Sequence, residues 1–133
     1  MLTLTLSSSG DREITSVNGD DGKTYNDVWW FWSLSITFNN FPQSIKKFFP
    51  NAEVVYIHSG NITILTKSDM ASVGSKVKRF YFHANKLEVL EEGLFDGNPN
   101  LEFISLSYNK IKVVASGVFD KLPKLKIIKK KKN

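Results

Sequence analysis

The side chains that could carry chemistry are few. The chain of 133 residues has two histidines, His58 and His83, and no cysteine. Without cysteine there is no thiol nucleophile, no disulfide and no thiolate metal site. Two histidines alone make a weak metal site, because a transition metal usually takes three or four protein ligands. The sequence also lacks a glycine-rich phosphate loop and the HExxH and GxSxG motifs. We therefore predict no catalysis, no cofactor and no metal centre.

Aromatic side chains offer a different chemistry, that of a binding surface. Trp32, Tyr56 and Tyr81 follow one another at steps of 24 and 25 residues, and Arg79 and Phe103 stand 24 residues apart. Aromatic and arginine side chains are enriched where proteins bind one another. Such residues form one surface only if a regular structure brings them together, and that structure must repeat with the same period.

A repeated apolar row supplies that period. The stretch "LEFISLSYNKI", which starts at residue 101, has apolar residues such as Ile104 and Leu106 before a polar Asn109. Its apolar residues recur neither every 2 residues nor every 3.6 residues, so the stretch fits neither a simple strand nor an amphipathic helix. Rows of the same form start at residues 28, 52, 77 and 125, which gives steps of 24, 25, 24 and 24 residues. Apolar residues also recur at positions 14 and 19 of the unit, so both halves keep register.

The row fits a short strand followed by a turn. Positions 1–6 of each unit are predicted to form a strand parallel to its neighbours, with positions 4 and 6 facing the core. The chain then turns, and position 11 points back into the core. Asn85 and Asn109, at position 9, fall inside that turn, where unpaired backbone groups would be costly. A carboxamide both donates and accepts, so we predict that both asparagines are buried, satisfy the turn and link it to the next coil.

This unit resembles the leucine-rich repeat, whose core pattern is LxxLxLxxNxL. The segments "GLFDGNPN" and "GVFDKLPK" resemble its extracellular typical class, and the run from "EITSVNG" to "NKIK" looks like small secreted insect leucine-rich repeat proteins. The resemblance covers about residues 12–128 and is strongest at 77–124. It implies an α/β solenoid, a right-handed leucine-rich repeat coil with a curved parallel β-sheet on its concave face and loops and short helical turns on its convex side. It also implies a secreted, extracellular protein with a role in recognition.

Three segments follow from the repeat. Residues 1–27 are predicted to form an N-terminal β cap and loop, with a hairpin of strands at 2–6 and 13–17. Residues 28–124 are the repeats, and residues 125–133 are a partial fifth repeat with a basic tail. The hairpin would cover the first coil, because an uncapped solenoid exposes its core and its strand edge.

The basic charge of the chain lies in its tail. Residues 125–133 hold five lysines and no acid, which leaves 13 basic and 13 acidic side chains elsewhere. We therefore expect no nucleic-acid partner, and no apolar stretch approaches the roughly 18 residues of a membrane span. Lys130 takes a core position, so the last coil is predicted to fray after about Ile128. The tail offers weak contact with an anionic surface through Lys129, Lys130, Lys131 and Lys132.

Two further features concern the secretory pathway. The start, "MLTLTLSSSG", has no basic region and alternates leucine with threonine, unlike a signal peptide. The secreted location therefore rests on the resemblance alone. The tripeptide "NIT" at 61–63 fits the N-glycosylation pattern. Asn61 falls in the turn, where it would face solvent, so it is the glycosylation candidate of a secreted chain.

The concave face is the predicted binding surface. Its position-5 residues would form one continuous column at the strand spacing of about 4.8 Å. Charges alternate at position 2 after the first unit, which indicates ion pairs between neighbouring strands. The convex acids Glu88, Glu91, Glu92 and Asp96 are expected to be simply solvated. The predicted partner-binding residues are Trp32, Tyr56, Arg79, Tyr81, Phe103 and Tyr108.

His58 and His83 share position 7 and would be neighbours on the same sheet. We interpret them as polar surface neighbours, with an adventitious metal or a pH-sensitive pair as the alternative.

Taken together, these patterns favour non-enzymatic recognition of a protein partner through the concave face. Two alternatives remain open at this point. One is a truncated or engineered structural scaffold without an evolved partner. The other is carbohydrate or other ligand binding by the aromatic stripe.

Overall fold

Five parallel strands in one sheet form the main feature of the fold. The computed structural model describes residues 6–9, 13–17, 30–33, 39–43, 45–58 and 60–131. The sheet runs in the order Trp30–Ser33 (β3), Val54–His58 (β4), Arg79–His83 (β5), Phe103–Ser105 (β7), Ile127–Lys129 (β9), and successive strands come from successive units. The result is a parallel-strand solenoid of about three turns, which confirms the predicted fold class. The elements are β1 (Leu6–Ser9), β2 (Glu13–Val17), β3 (Trp30–Ser33), α1 (Ile45–Phe48), β4 (Val54–His58), α2 (Lys67–Val73), β5 (Arg79–His83), β6 (Val89–Leu90), β7 (Phe103–Ser105), β8 (Val113–Val114) and β9 (Ile127–Lys129).

Each strand begins at position 3 of its unit, two residues later than predicted. At the entry, one carbonyl of the preceding coil accepts two backbone hydrogen bonds. Lys78 and Arg79 both donate to the Glu53 carbonyl, at 2.7 and 3.0 Å. Glu102 and Phe103 both donate to the Lys78 carbonyl in the same way, at 2.8 and 3.1 Å. Because both N–H groups bond to one carbonyl, the regular strand pairing starts only after them, and neither N–H group is left unpaired.

The inward columns form the core. Positions 4 and 6 of the three middle units are at most 1% exposed, which confirms the predicted facing. Burying each such side chain stabilises the fold by roughly 1.5–3 kcal/mol. Phe41, from the first unit, packs its ring 6.3 and 6.2 Å from the rings of Phe80 and Phe82. The core residues at these two positions are Val55, Ile57, Phe80, Phe82, Ile104 and Leu106.

Asn85 and Asn109 are buried as predicted, at 4% and 8% exposure. The Asn85 side-chain oxygen accepts from the Ile62 backbone N–H at 3.4 Å, and that of Asn109 accepts from the Leu87 N–H at 3.2 Å. The Asn109 amide group also donates to the Phe82 carbonyl at 2.7 Å. These bonds reach the preceding coil, so the predicted link to the next coil has the wrong direction. The carboxamide points toward the preceding coil because a backbone N–H group in the turn of that coil faces the asparagine.

The convex side contains more regular structure than the predicted loops and helical turns. β6 and β8 form a second parallel ladder, which pairs Val89 with Val113 and Leu90 with Val114. The second unit instead has the helix α2, which begins after Thr66 with a capping box. The Thr66 hydroxyl accepts from the Asp69 backbone N–H, and the Asp69 carboxylate accepts from the Thr66 N–H, both at 3.0 Å. Such a cap satisfies two donors that the first helical turn leaves unpaired.

The two ends of the chain differ in how far the predictions hold. β1 and β2 pair antiparallel, so the hairpin is present, but its described first strand is 6–9, and 2–5 lie outside the described residues. That the hairpin covers the first coil stays a prediction. At the other end, the Tyr108 backbone N–H donates to the Lys131 carbonyl at 2.7 Å. Backbone pairing thus continues past Ile128 while the Lys130 side chain is exposed, and the fraying of the last coil stays a prediction.

Candidate functional site

The position-5 column lies in register across the sheet. Trp32 is paired with Tyr56, Tyr56 with Tyr81, and Tyr81 with Ser105. The Tyr56 and Tyr81 rings stack, with centroids 5.0 Å apart and planes 24° apart. The Tyr81 ring lies 4.9 Å from that of Phe103. The structure thus brings together the predicted tyrosines, whereas the side chain of Trp32 lies outside the described part of the chain.

Phe103 sits between two cations. The Arg79 guanidinium lies 5.3 Å from the ring centroid, and the Lys129 ammonium lies 5.7 Å from it. Arg79 is on β5 and Lys129 on β9, so the two charges approach the ring from the strands on either side of β7. The ring is only 9% exposed as a result. Phe103 was predicted to contact a partner, but the cations and Tyr81 cover it, and Arg79 and Lys129 are the exposed groups.

A polar chain crosses the sheet beside these aromatics. The Tyr56 hydroxyl lies 2.9 Å from His83 Nδ1, and His83 Nε2 lies 2.6 Å from Ser105 Oγ. Ser105 Oγ lies in turn 3.3 Å from Ser107 Oγ. Ser105 was predicted on the outward face, but it is 2% exposed because His83 and its strand neighbours cover it. The polar chain therefore fixes side-chain positions and presents no accessible serine nucleophile.

His58 and His83 are neighbours on the sheet, as predicted, with ring centroids 6.4 Å apart. Burial, and then the nearby His58, lower the pKa of His83 below its usual 6.5. Burial, and then the nearby Tyr81, raise the pKa of Tyr56 above its usual 10.0. Both shifts favour neutral side chains at this place. Within the described residues, no three His, Cys, Asp or Glu side chains are grouped so as to hold a metal ion.

The position-2 ion pairs are present as predicted. Lys78 Nζ lies 3.2 Å from Glu53 Oε1, and Lys126 Nζ lies 3.3 Å from Glu102 Oε1. These side chains are between 36% and 72% exposed, so each pair contributes only a few tenths of a kcal/mol. Their main effect is to border the aromatic columns with paired charges.

A scan against protein families matches the leucine rich repeat model to residues 75–129. This match covers the third and fourth units and the start of the fifth, where the Asn109 hydrogen bonds are most complete. Residues 75–129 belong to the leucine-rich repeat family. A comparison with curated proteins gave no match.

Leucine-rich repeat domains generally mediate protein–protein interaction and are generally not enzymes. The likeness to small secreted insect proteins stays a prediction. Across the part of the chain that the structure describes, no helix has the length and apolar character needed to cross a membrane.

Two other predicted sites lie at turns of the coil. Tyr108 is 39% exposed and has a φ of 61°, close to the 52° of Ala84 at the same position of the preceding unit. It stands at the border of the sheet, apart from the stacked tyrosines. Asn61 is exposed, and its amide donates to the Asn39 side-chain oxygen at 3.3 Å.

The convex acids of the leucine-rich repeat are not all simply solvated. Asp96 Oδ2 lies 3.6 Å from Lys67 Nζ and 3.4 Å from Lys121 Nζ, and its side chain is only 17% exposed. Glu88 pairs with Lys112 at 3.3 Å. The prediction was wrong for Asp96, because stacking puts lysines of neighbouring units beside it, whereas the Glu88 side chain is still half exposed to solvent.

A buried asparagine was missed by the sequence reading. Asn98 is fully buried, and its amide donates to the carbonyls of Met70 at 2.8 Å and Gly74 at 3.2 Å. Its side-chain oxygen has no hydrogen-bond partner among the described residues. The signal was available, since position 22 of the repeated unit is apolar in the other three units, at Phe49, Val73 and Leu122.

Proposed function

We propose that this protein is a non-enzymatic recognition module that binds a protein partner through the concave face of its leucine-rich repeat. The observation that supports this most is the stack of Tyr56 on Tyr81, at 5.0 Å, on the outward column of a continuous parallel sheet. Backbone pairing holds both residues at the strand spacing. The tyrosines are therefore positioned before a partner arrives.

Preorganised tyrosines suit protein recognition for physical reasons. A tyrosine combines a large apolar area with a polar hydroxyl, and it loses little rotamer freedom when it is immobilised. Here the hydrogen bond between the Tyr56 hydroxyl and His83 Nδ1 removes part of that freedom in advance. Binding then costs less ordering than at a flexible surface.

The ring geometry favours a protein partner over a carbohydrate. A sugar packs flat against an open aromatic face. Tyr56 and Tyr81 turn faces toward each other, and Tyr81 is also 4.9 Å from Phe103. The rings therefore offer edges and hydroxyls to a partner more than open faces.

Affinity capture with the folded domain as bait tests this function. Once a partner is isolated, Tyr56→Ala with Tyr81→Ala is compared with Glu91→Ala plus Glu92→Ala, two exposed convex acids. We expect the tyrosine pair to weaken binding at least about tenfold, as for hot-spot residues, and the convex pair to leave it unchanged. Circular dichroism checks that both variants fold.

The opposite result, in which only the convex pair weakens binding, would reject the concave face. If no partner is found, the scaffold without an evolved partner becomes the better explanation.

The extracellular location is part of the same proposal. The exposed position of Asn61 supports its glycosylation in a secreted chain. Secretion from a eukaryotic host behind a supplied signal peptide should give a mass that peptide N-glycosidase lowers, and Asn61→Gln should abolish that shift.

A further inference from the structure

The concave face has a one-sided distribution of charge. At outward positions 3 and 5 of the described strands, the charged side chains are Arg79 and Lys129, and no acid occurs there. The nearest acids in the repeat, Glu53 and Glu102, lie one position away and are each paired with a lysine. The centre of the face therefore carries positive charge that its own border does not neutralise.

The two cations flank a single aromatic ring. Arg79 lies 5.3 Å and Lys129 lies 5.7 Å from the centroid of Phe103. A ring quadrupole attracts a cation but adds no negative charge. Neither cation has a carboxylate partner among the described residues. The two charges thus flank Phe103 from the strands on either side of β7, and each would attract an anionic group placed beside it.

We propose that Arg79 and Lys129, positioned by Phe103, form an anion site that makes an extended acidic peptide segment the preferred partner of the concave face. The proposal rests on the recognition function above and specifies its partner. A glutamate or aspartate carboxylate would accept two parallel hydrogen bonds from the Arg79 guanidinium fork, and a second carboxylate of the same extended segment would accept from the Lys129 ammonium.

The surroundings of the site favour a peptide over a continuous polyanion. Tyr81 stands beside Phe103, and Ile127 on the next strand is 48% exposed, so apolar contacts adjoin the charges. A peptide can alternate acidic and apolar side chains to match this pattern. A nucleic acid or sulfated polysaccharide would instead extend its charge past Glu53 and Glu102, which repel it.

Synthetic peptides of matched length test the proposal directly. The probe alternates glutamate with isoleucine and tyrosine, carries a fluorescent label and is compared with versions in which glutamine or lysine replaces glutamate. Fluorescence anisotropy at low and moderate salt measures the affinity. We expect the glutamate probe to bind best, the lysine probe to show no binding, and binding to weaken with salt because the charges are exposed.

Matched variants localise the binding. Arg79→Gln with Lys129→Gln removes two charges from the site, whereas Lys86→Gln with Lys110→Gln removes two exposed charges from the turns. We expect the first pair to weaken the glutamate probe at least about tenfold, and the second less than about twofold. Arg79→Glu with Lys129→Glu should transfer the preference to the lysine probe, a gain that an unfolded variant could not produce.

Three results would overturn the acidic-peptide site. They are equal losses in the two glutamine pairs, a lack of binding by the glutamate probe, and tighter binding of single-stranded DNA or heparin through the same two residues. Recognition through the concave face would survive any of these if a captured partner still depends on Tyr56 and Tyr81. The two proposals therefore fail separately.

Discussion

The second and third units have equivalent strands but differ on the convex side of the coil, which is called the back below. Both place aromatic or aliphatic residues at inward positions 4 and 6, and their strands pair residue for residue from Val54 to His58. The second unit closes behind the strand with helix α2 and its capping box. The third unit uses the short strand β6 and a turn at Gly93, whose φ is 72°.

The difference shows which part of the unit the fold constrains. The sheet admits one arrangement, because each strand must supply hydrogen bonds in register to both neighbours. The back needs only to satisfy its own polar groups and to bury positions 14 and 19. Leu65 and Met70 do so behind the second unit, and Leu90 and Phe95 behind the third.

The asparagines that join the coils should give the largest effects. Asn109 makes one accepted bond and donates to the carbonyls of Phe82, Leu106 and Ser107. Asn85 makes one accepted and one donated bond. Asn109→Ala should lower the free energy of unfolding by about 2–3 kcal/mol and Asn85→Ala by about 1–2 kcal/mol, because buried backbone groups lose partners.

Urea denaturation of each variant measures these losses, and Asn61→Ala at an exposed turn is the control. Loss of stability equal to that control at either buried asparagine would contradict the role assigned to it.

Replacing one aspartate in each back sharpens the comparison between the two units. Asp69 is 2% exposed, completes the cap with Thr66 and accepts from Gln43 Nε2 at 2.7 Å. Among the described residues, the ion-pair partners of Asp96 are two exposed lysines, Lys67 and Lys121. Asp69→Ala should cost about 1–2 kcal/mol of unfolding free energy, and Asp96→Ala less than about 1 kcal/mol.

Thermal or urea unfolding of the two variants shows which substitution lowers the free energy of unfolding more. If Asp96→Ala proved the more harmful, the back of the third unit would be constrained as tightly as that of the second.

A smaller effect should appear with pH at the junction of the two units. His83 contacts Tyr56 of the second unit, and its pKa is lowered from 6.5 by burial and by His58. A base with a lowered pKa is protonated more readily in the unfolded chain. The free energy of unfolding should therefore be highest above pH 6.5, fall as the pH drops below 6.5, and level off once the pH passes the lowered value.

Denaturation midpoints at several pH values between about 7 and 5 measure this dependence. His83→Gln should flatten the curve relative to the unchanged chain. If the stability of the variant depended on pH with the same slope, a group other than His83 would be responsible for the pH dependence.

The sequence was sufficient for the sheet but not for the back of the coil. Inward columns repeat at a fixed period, so Phe80, Phe82, Asn85 and Asn109 could be predicted to be buried from spacing alone. The capping box at Thr66 and Asp69 is a local signal that the repeat pattern concealed. Paired valines at 113 and 114, matching 89 and 90, indicated the second ladder only in retrospect.

The sequence predicted which residues lie on the face of the candidate site, but not which of their side chains are exposed to solvent. Register placed Tyr56, Tyr81 and Arg79 on one face, because parallel pairing fixes which residues are neighbours. Phe103 and Ser105 share that face, yet both are covered. Their coverage depends on where the long Lys129 and Arg79 side chains come to lie, and spacing carries no information on that.

Gly74, which ends α2 with a φ of 100°, has a consequence for changes in chain length. The second unit spans 25 residues where its neighbours span 24, and yet Tyr56 still faces Tyr81 directly. The additional residue is thus absorbed on the back, beside a glycine that can take a backbone direction other residues avoid. At the end of α2 the length of a unit can therefore change without changing the register of the sheet. Insertions next to Gly74 would alter the convex surface and leave the outward columns of the sheet aligned.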